Sequence, residues 1–278
     1  MVEIHHRDTG EVIHKHRGRS LAGASLRGLV LRYAVFRGTD LRGTDFTGAE
    51  LASSVFDGCQ LEGCSFARTD LCVVAFGGQD LRGVDLAAAI LLVAIVAGAD
   101  LRGVNLGDAI AQWADFRGAR LGDARLQRGL FNRAKFDGAD LSGADLSEAR
   151  FAYASLAGAR LDHASLVGAN LTGCDLTGAR LNGADLSGAN LCGARLERAE
   201  LAGATLRRTL LASCRGLHEA RGLDDVVHAG PSSLDAETLR ESLSGLSDSF
   251  LRGTGYREDE IAALRAAFTP TAVHAARG

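Results

Sequence analysis

The sequence predicts an all-β solenoid, a chain wound in short extended segments around a filled core. Three observations predict it. A comb placed on every fifth residue from Leu21 to Leu211 meets 39 positions without an insertion; 37 are Leu or Phe, and Val96 and Ala111 are the exceptions. The residue two before each tooth is small, as at Ala24, Ala34, Ala49, Ala89 and Ala94 and almost continuously from 134 to 204, with Leu29 and Gln79 breaking the rule. The residue two after is mostly glycine, as at Gly23, Gly28, Gly38 and Gly43.

No ordinary element has a period of five. On an α-helix each step of five turns by about 140°, so the leucines would spiral round every side. On a flat strand an odd period sends alternate leucines to opposite faces. The pattern works if the chain turns a corner in every unit such as Ala139-Asp140-Leu141-Ser142-Gly143. The small and the large residue then both point inward, and glycine eases the corner. Phe36, Phe56, Phe76, Phe116 and Phe136 share one class modulo 20, with Val96 in the gap. Aromatic rings stacked coil over coil produce such a series.

The run over 21–213 resembles the pentapeptide-repeat proteins. The resemblance implies a right-handed quadrilateral β-helix with four units per coil. About ten coils at roughly 4.8 Å each make a rod roughly 47 Å long. An interior full of Leu, Phe and Ala leaves no room for a substrate. The ends of such a rod require caps against edge-to-edge pairing.

The predicted cap at the N-terminus is residues 1–18, a β-hairpin around Asp8-Thr9-Gly10. It carries His5, His6, His14 and His16. His14 and His16 share a strand face, which would suit a metal, but an exposed polar strand is the expectation and no metal site is assigned. Residues 19–213 form the β-helix. Residues 214–278 form a tail with two short helices, one over 234–243 capped by Ser232 or Ser233 and one over 258–268. In the tail, HAGPSS at 228–233 and FLRGTG at 250–255 resemble the stretch before TIR-type domains in some bacterial pentapeptide-repeat proteins. With no TIR domain expected after Gly278, that resemblance implies a sensor or scaffold module working beside a separate effector.

Other function classes find little in the sequence. There is no run of 18 apolar residues for a membrane span, and MVEIHHRDTG lacks the apolar stretch of a secretory signal. The six cysteines show no zinc spacing, and reduced thiols in the cytoplasm are expected. Cys59, Cys64, Cys174 and Cys214 fall on the small inward position; Cys72 and Cys192 are expected outward, where a thiol can react, but no neighbouring residue in the sequence activates them. Asp40, Asp80 and Asp100 precede teeth and Arg42, Arg82 and Arg102 follow, which reads as a solvated ion-pair face rather than acid–base machinery. The glycines follow the corners, not a phosphate cradle. No catalytic residue and no cofactor is assigned.

The resemblance also implies an alternative function. Strongly acidic members of the family mimic duplex DNA, bind DNA gyrase and confer resistance to quinolone-type inhibitors. The repeat region 19–213 carries 21 Lys and Arg against 21 Asp and Glu. A neutral rod matches neither a duplex with a charge every ~1.7 Å nor a broad basic field for nucleic acid.

Sorted by a 20-residue coil, three faces are polar. The fourth presents Val30, Tyr33, Val73, Ile90, Leu92, Val93, Ile110, Trp113, Leu130, Arg133 and Tyr153, and Val35, Val55 and Ile95 extend it round a corner. Contiguous exposed apolar surface marks contact sites, and Trp, Tyr and Arg dominate binding hot spots. The expectation is a cytoplasmic, non-enzymatic protein-binding or scaffold module in bacterial signalling or defence. The face has three candidate occupants: the protein's own tail, a second copy in a homodimer, or another protein.

Overall fold

The computed structural model of the chain describes residues 1–268. It is an all-β solenoid with a short helical region at its C-terminal end. Parallel bridges join residues twenty apart, from Ser25↔Asp45 through Ile90↔Ile110 to Arg195↔Arg215. Each unit makes the same turn. The tooth carbonyl accepts from the N–H three residues on, as Leu21 O does from Ala24 N at 2.9 Å. Between them Gly23 sits at φ 71. A turn of this type demands positive φ at its third residue, which is the physical reason for the glycine column. Tooth N–H groups then bond one coil ahead, as Leu101 N does to Arg120 O at 2.7 Å.

The teeth and the small residues fill the interior, and the phenylalanines stack as their spacing requires. Ring centroids lie 5.0 Å apart for Phe36–Phe56 and 4.7 Å for Phe116–Phe136. Each such pair adds about 0.5–1.5 kcal/mol beyond its burial. Where the small inward residue is polar it donates to a tooth carbonyl one coil back. Thr44 Oγ1 reaches Leu21 O at 2.7 Å, and Cys64 and Cys174 donate to Leu41 O and Phe151 O at 2.9 and 2.8 Å. A buried polar group so satisfied carries little penalty.

Gln79 is the exception. Its Nε2 donates to Phe56 O at 3.2 Å, and its Oε1 is buried without a partner. The N–H groups of Phe56, Gly58 and Leu61 lack the inter-coil bonds made by Phe36, Gly38 and Leu41 below and by Phe76, Gly78 and Leu81 above. The Gln60–Asp80 bridge is missing too, and a polar groove lined by Arg42, Gln60, Glu62 and Arg82 opens there. A long side chain where the coils below have Thr39 and Cys59 and those above have alanine props two coils apart.

At the N-terminal end β1 (Val2–His6) and β2 (Val12–His16) form an antiparallel hairpin. β1 also pairs with β3 (Ala34–Val35) of the rod, and Ile4 plugs the core. At the other end the winding continues beyond Cys214, where the five-residue comb fails. Arg215 and Arg221 bridge to Arg195 and Glu200, β4 (Thr205–Leu206) pairs with β6 (Val227–His228), and β5 (Leu210–Leu211) pairs with β7 (Ser233–Leu234). The units here are six residues long. The extra residue is absorbed in 3-10 turns at Leu217–Glu219 and Leu223–Asp225, entered through Gly216 and Gly222 at positive φ.

Among the described residues three helices follow: α1 (Ala236–Ser242), α2 (Asp248–Thr254) and α3 (Glu258–Phe268). The cap of α1 is Asp235, not Ser232 or Ser233, because Ser233 is still paired in β7. The sequence reading misses α2, a single short helix capped by Ser247. Its stability comes from tertiary packing, with Phe250 and Leu251 buried against the last coil. The last ten residues of the predicted tail, 269–278, lie outside the described residues.

Candidate protein-binding face

The third residue of each turn falls into four columns, each repeating every twenty residues. The column from Gly38 to Gly178 is glycine at every level. The column on the apolar face is side chains from Tyr33 to Tyr153, and glycine returns only at Gly173 and Gly193. Tyr33, Val73, Val93, Trp113, Arg133 and Tyr153 hold φ of 61, 60, 58, 62, 60 and 60. A left-handed backbone costs an L-residue about 1–2 kcal/mol, and a β-branched valine is a true outlier there. A second column carries similar strain at Arg68, Ala88, Asp108, Arg128 and Glu148. Its residues are mostly charged, and Arg128 pairs with Asp108 across coils at 2.8 Å.

Trp113 is 55%, Val73 60% and Tyr153 64% exposed, and Val30, Tyr33, Val93 and Arg133 are exposed with them. The sequence places Ile90, Leu92, Ile110 and Leu130 freely outward, but they are only half-exposed. Ile90, Ile110 and Leu130 follow one another in a single bridge column, so each covers part of the next. Around the corner Val35 and Ile95 are exposed and Val55 is half-buried. The phenylalanine clusters are inside; what the face shows is a single file of Tyr33, Ser53, Val73, Val93, Trp113, Arg133 and Tyr153.

The file is ordered by Arg133. Its guanidinium carbon lies 4.7 Å from the Trp113 ring centre and 6.0 Å from that of Tyr153. A cation between two aromatic faces fixes all three side chains. Lower down, the His6 ring lies 5.1 Å from Tyr33, and Arg7 N donates to Tyr33 O at 2.7 Å, so the hairpin reaches that end of the face. The described part of the tail, 214–268, makes no polar contact with the middle of the face. Its described polar contacts with the rod gather at the last coil, where Asp235 accepts from Ser213 N, Thr238 Oγ1 from Cys214 N and Glu241 from Gly216 N.

The remaining polar groups are bound up locally. Arg42, Arg82 and Arg102 pair with Asp40, Asp80 and Asp100 at 2.7, 2.6 and 2.7 Å. Hydrogen bonds from Arg42 and Arg82 hold Asp40 and Asp80 down at about 2, the reverse of a poised acid–base pair. Burial pushes the thiols of Cys64, Cys174 and Cys214 up to about 12. Cys72, expected outward, is half-buried, and desolvation pushes it up to about 11. It is a poor thiolate. Among the described residues no group of three His, Cys, Asp or Glu can hold a metal, His14 and His16 included. Among the same residues no helix is long and apolar enough to cross a membrane.

The profile for pentapeptide repeats matches residues 17–48, 44–72, 114–151, 144–183, 154–191 and 174–212 in eight copies. It ends before the tail and lends no support to the TIR-type resemblance there. HetL, a pentapeptide repeat protein involved in heterocyst differentiation regulation in the cyanobacterium Nostoc, is 30% identical with a TM-score of 0.50, over 78% of this chain and 92% of that one. A pentapeptide repeat protein of the Arabidopsis thaliana thylakoid lumen is 28% identical with a TM-score of 0.31, over 44% and 86%. Full-length QnrB1, a plasmid-mediated fluoroquinolone resistance protein, is 18% identical with a TM-score of 0.28, over 77% and 94%. No curated protein sequence matches the chain.

Proposed function

The chain belongs to the pentapeptide-repeat family, and from that premise we propose that it is a non-enzymatic protein-binding or scaffold module. In this reading the rod is a right-handed, four-sided helix of about ten coils that works in the cytoplasm. Its working surface is the face from Ile90 to Tyr153. The observation that carries the reading is the Trp113–Arg133–Tyr153 stack, exposed on turn positions where glycine would be less strained. Side chains kept at a conformational cost and turned to solvent do nothing for the core; contact with another macromolecule gives them a use.

The test is Trp113→Arg, which keeps the backbone and reverses the chemistry of the hot spot. The variant is expected to melt like the wild type yet lose its bound partner in pull-downs and its apparent size on size exclusion. An unchanged set of interactions and an unchanged size would remove the face from consideration.

Binding to DNA gyrase is the second reading. Against it stands local neutralisation: Asp40, Asp80, Asp108 and Asp175 are each paired with an arginine of the same unit or the adjacent coil, and the repeat region carries as many basic as acidic side chains, unlike a row of phosphates. A supercoiling assay with gyrase and a quinolone decides it; protection of the enzyme would move this reading to first place.

A further inference from the structure

The protein-binding reading leaves the partner open, and the order of charges along the face narrows it. One bridge column runs from Val30 to Leu210, and its stretch before Asn170 and Asn190 is Glu50, Asp70, Ile90, Ile110, Leu130, Arg150. That stretch is acidic at one end, apolar in the middle and basic at the other, with Ile110 at the centre of the apolar run. Arg150 is exposed, and among the described residues no carboxylate lies within salt-bridge distance of it. The ion contact of Asp70 is a long one, 3.9 Å to Arg32.

We infer that the partner is a second copy of this chain, docked antiparallel about a two-fold axis at the level of Ile110 and Trp113. This inference rests on the protein-binding reading above. A two-fold axis lying across the face reverses the direction of the rod and sets each column opposite itself. Arg150 then meets the second copy's Asp70, Leu130 meets Ile90, and Ile110 and Trp113 each meet their own counterpart. The neighbouring column agrees in size. Tyr33 faces Gly193 and Tyr153 faces Val73, bulk against smaller groups. Arg133 faces Val93 and keeps its ring partners. An axis parallel to the rod is disfavoured by charge. Both arrangements leave Arg133 against an apolar side chain, but the parallel one also sets Arg150 opposite Tyr153 with no acid, a costly burial, where the antiparallel one gives it Asp70. A self-complementary order of acid, apolar and base is what an isologous contact needs and what an unrelated partner does not require.

Charge swapping tests the register. Sedimentation velocity of the full chain, from low to high micromolar concentration, is expected to show a monomer–dimer equilibrium. Arg150→Glu sets acid against Asp70 twice per dimer and is expected to weaken association by about tenfold or more. Asp70→Lys should do the same. In an equimolar mixture of the two variants, the mixed dimer sets the introduced glutamate against the introduced lysine and keeps Arg150 opposite Asp70. The mixture is expected to recover the dimer. Circular dichroism of each variant reports that the rod is intact. Three outcomes overturn the inference: a wild type that stays monomeric, a dimer indifferent to Arg150→Glu, or no recovery on mixing. A monomer whose Trp113→Arg variant still loses cellular partners leaves the protein-binding reading standing. A chain in which Trp113→Arg changes neither association nor partner capture overturns both.

Discussion

Glycine and alanine exchange their usual order of stability at the turn columns, and one reciprocal pair of substitutions measures by how much. Gly98 has φ 68, and a Cβ built there meets nothing within 4 Å. Crowding therefore contributes nothing to Gly98→Ala, and the backbone term stands alone. The left-handed conformation costs alanine about 1–2 kcal/mol. The stiffer unfolded chain returns about 0.4–1 kcal/mol of it. The net loss is about 1 kcal/mol. Ala88 already stands in the left-handed region at φ 54, so Ala88→Gly runs the same balance backwards. It is expected to gain slightly under about 1 kcal/mol, because the half-buried methyl gives up a few tenths. Thermal unfolding followed by far-ultraviolet circular dichroism should place the two variants on opposite sides of the wild type, each about 2–4 °C away. In an exposed helix or strand alanine is the more stable residue. Finding alanine favoured at both positions would refute the strain term, and with it the reason for reading Val73, Val93 and Trp113 as side chains retained for contact.

Two further outcomes follow from the same coordinates. Gln79→Ala removes the prop between coils and lets the N–H groups of Phe56, Gly58 and Leu61 close onto the next coil; the unfolding free energy is expected to rise by about 1–2 kcal/mol, with slower amide exchange at Leu61 as the specific readout. His228 packs 5.4 Å from the Phe250 ring with its Nδ1 buried and, among the described residues, without a hydrogen-bond partner, and burial holds it below the usual histidine range. Because the folded state favours neutral imidazole, its contribution is full above about pH 6.5 and is lost as the pH falls below that value; hydrogen exchange in α2 should accelerate over that window, and His228→Phe should remove the dependence.

The rod was legible because its rule is local and repeated. A five-residue period with Leu21 to Leu211 inside is incompatible with helix or flat strand, and the phenylalanine series already carried the twenty-residue coil. The face was legible for the same reason: once the coil length is known, Trp113 and Tyr153 fall into one column by counting. The ends were not. Leu217 and Leu223 continue the core, but at a spacing of six, and a strict comb reads them as its failure. Phe250 carries no periodic signal at all, because its partner surface is assembled from the last coil and not from its own helix.

What the amino-acid order determines by itself is the inward and outward assignment of each side chain in the repeat, since burial of every fifth residue leaves the winding no other choice. Tertiary structure alone decided three things. Ile90, Ile110 and Leu130 shield one another because stacking brings them within contact, Arg133 settles between two rings from adjacent coils, and the described tail closes the end of the rod. Each depends on distances between residues twenty or more positions apart, and a linear pattern specifies those only after the chain has wound.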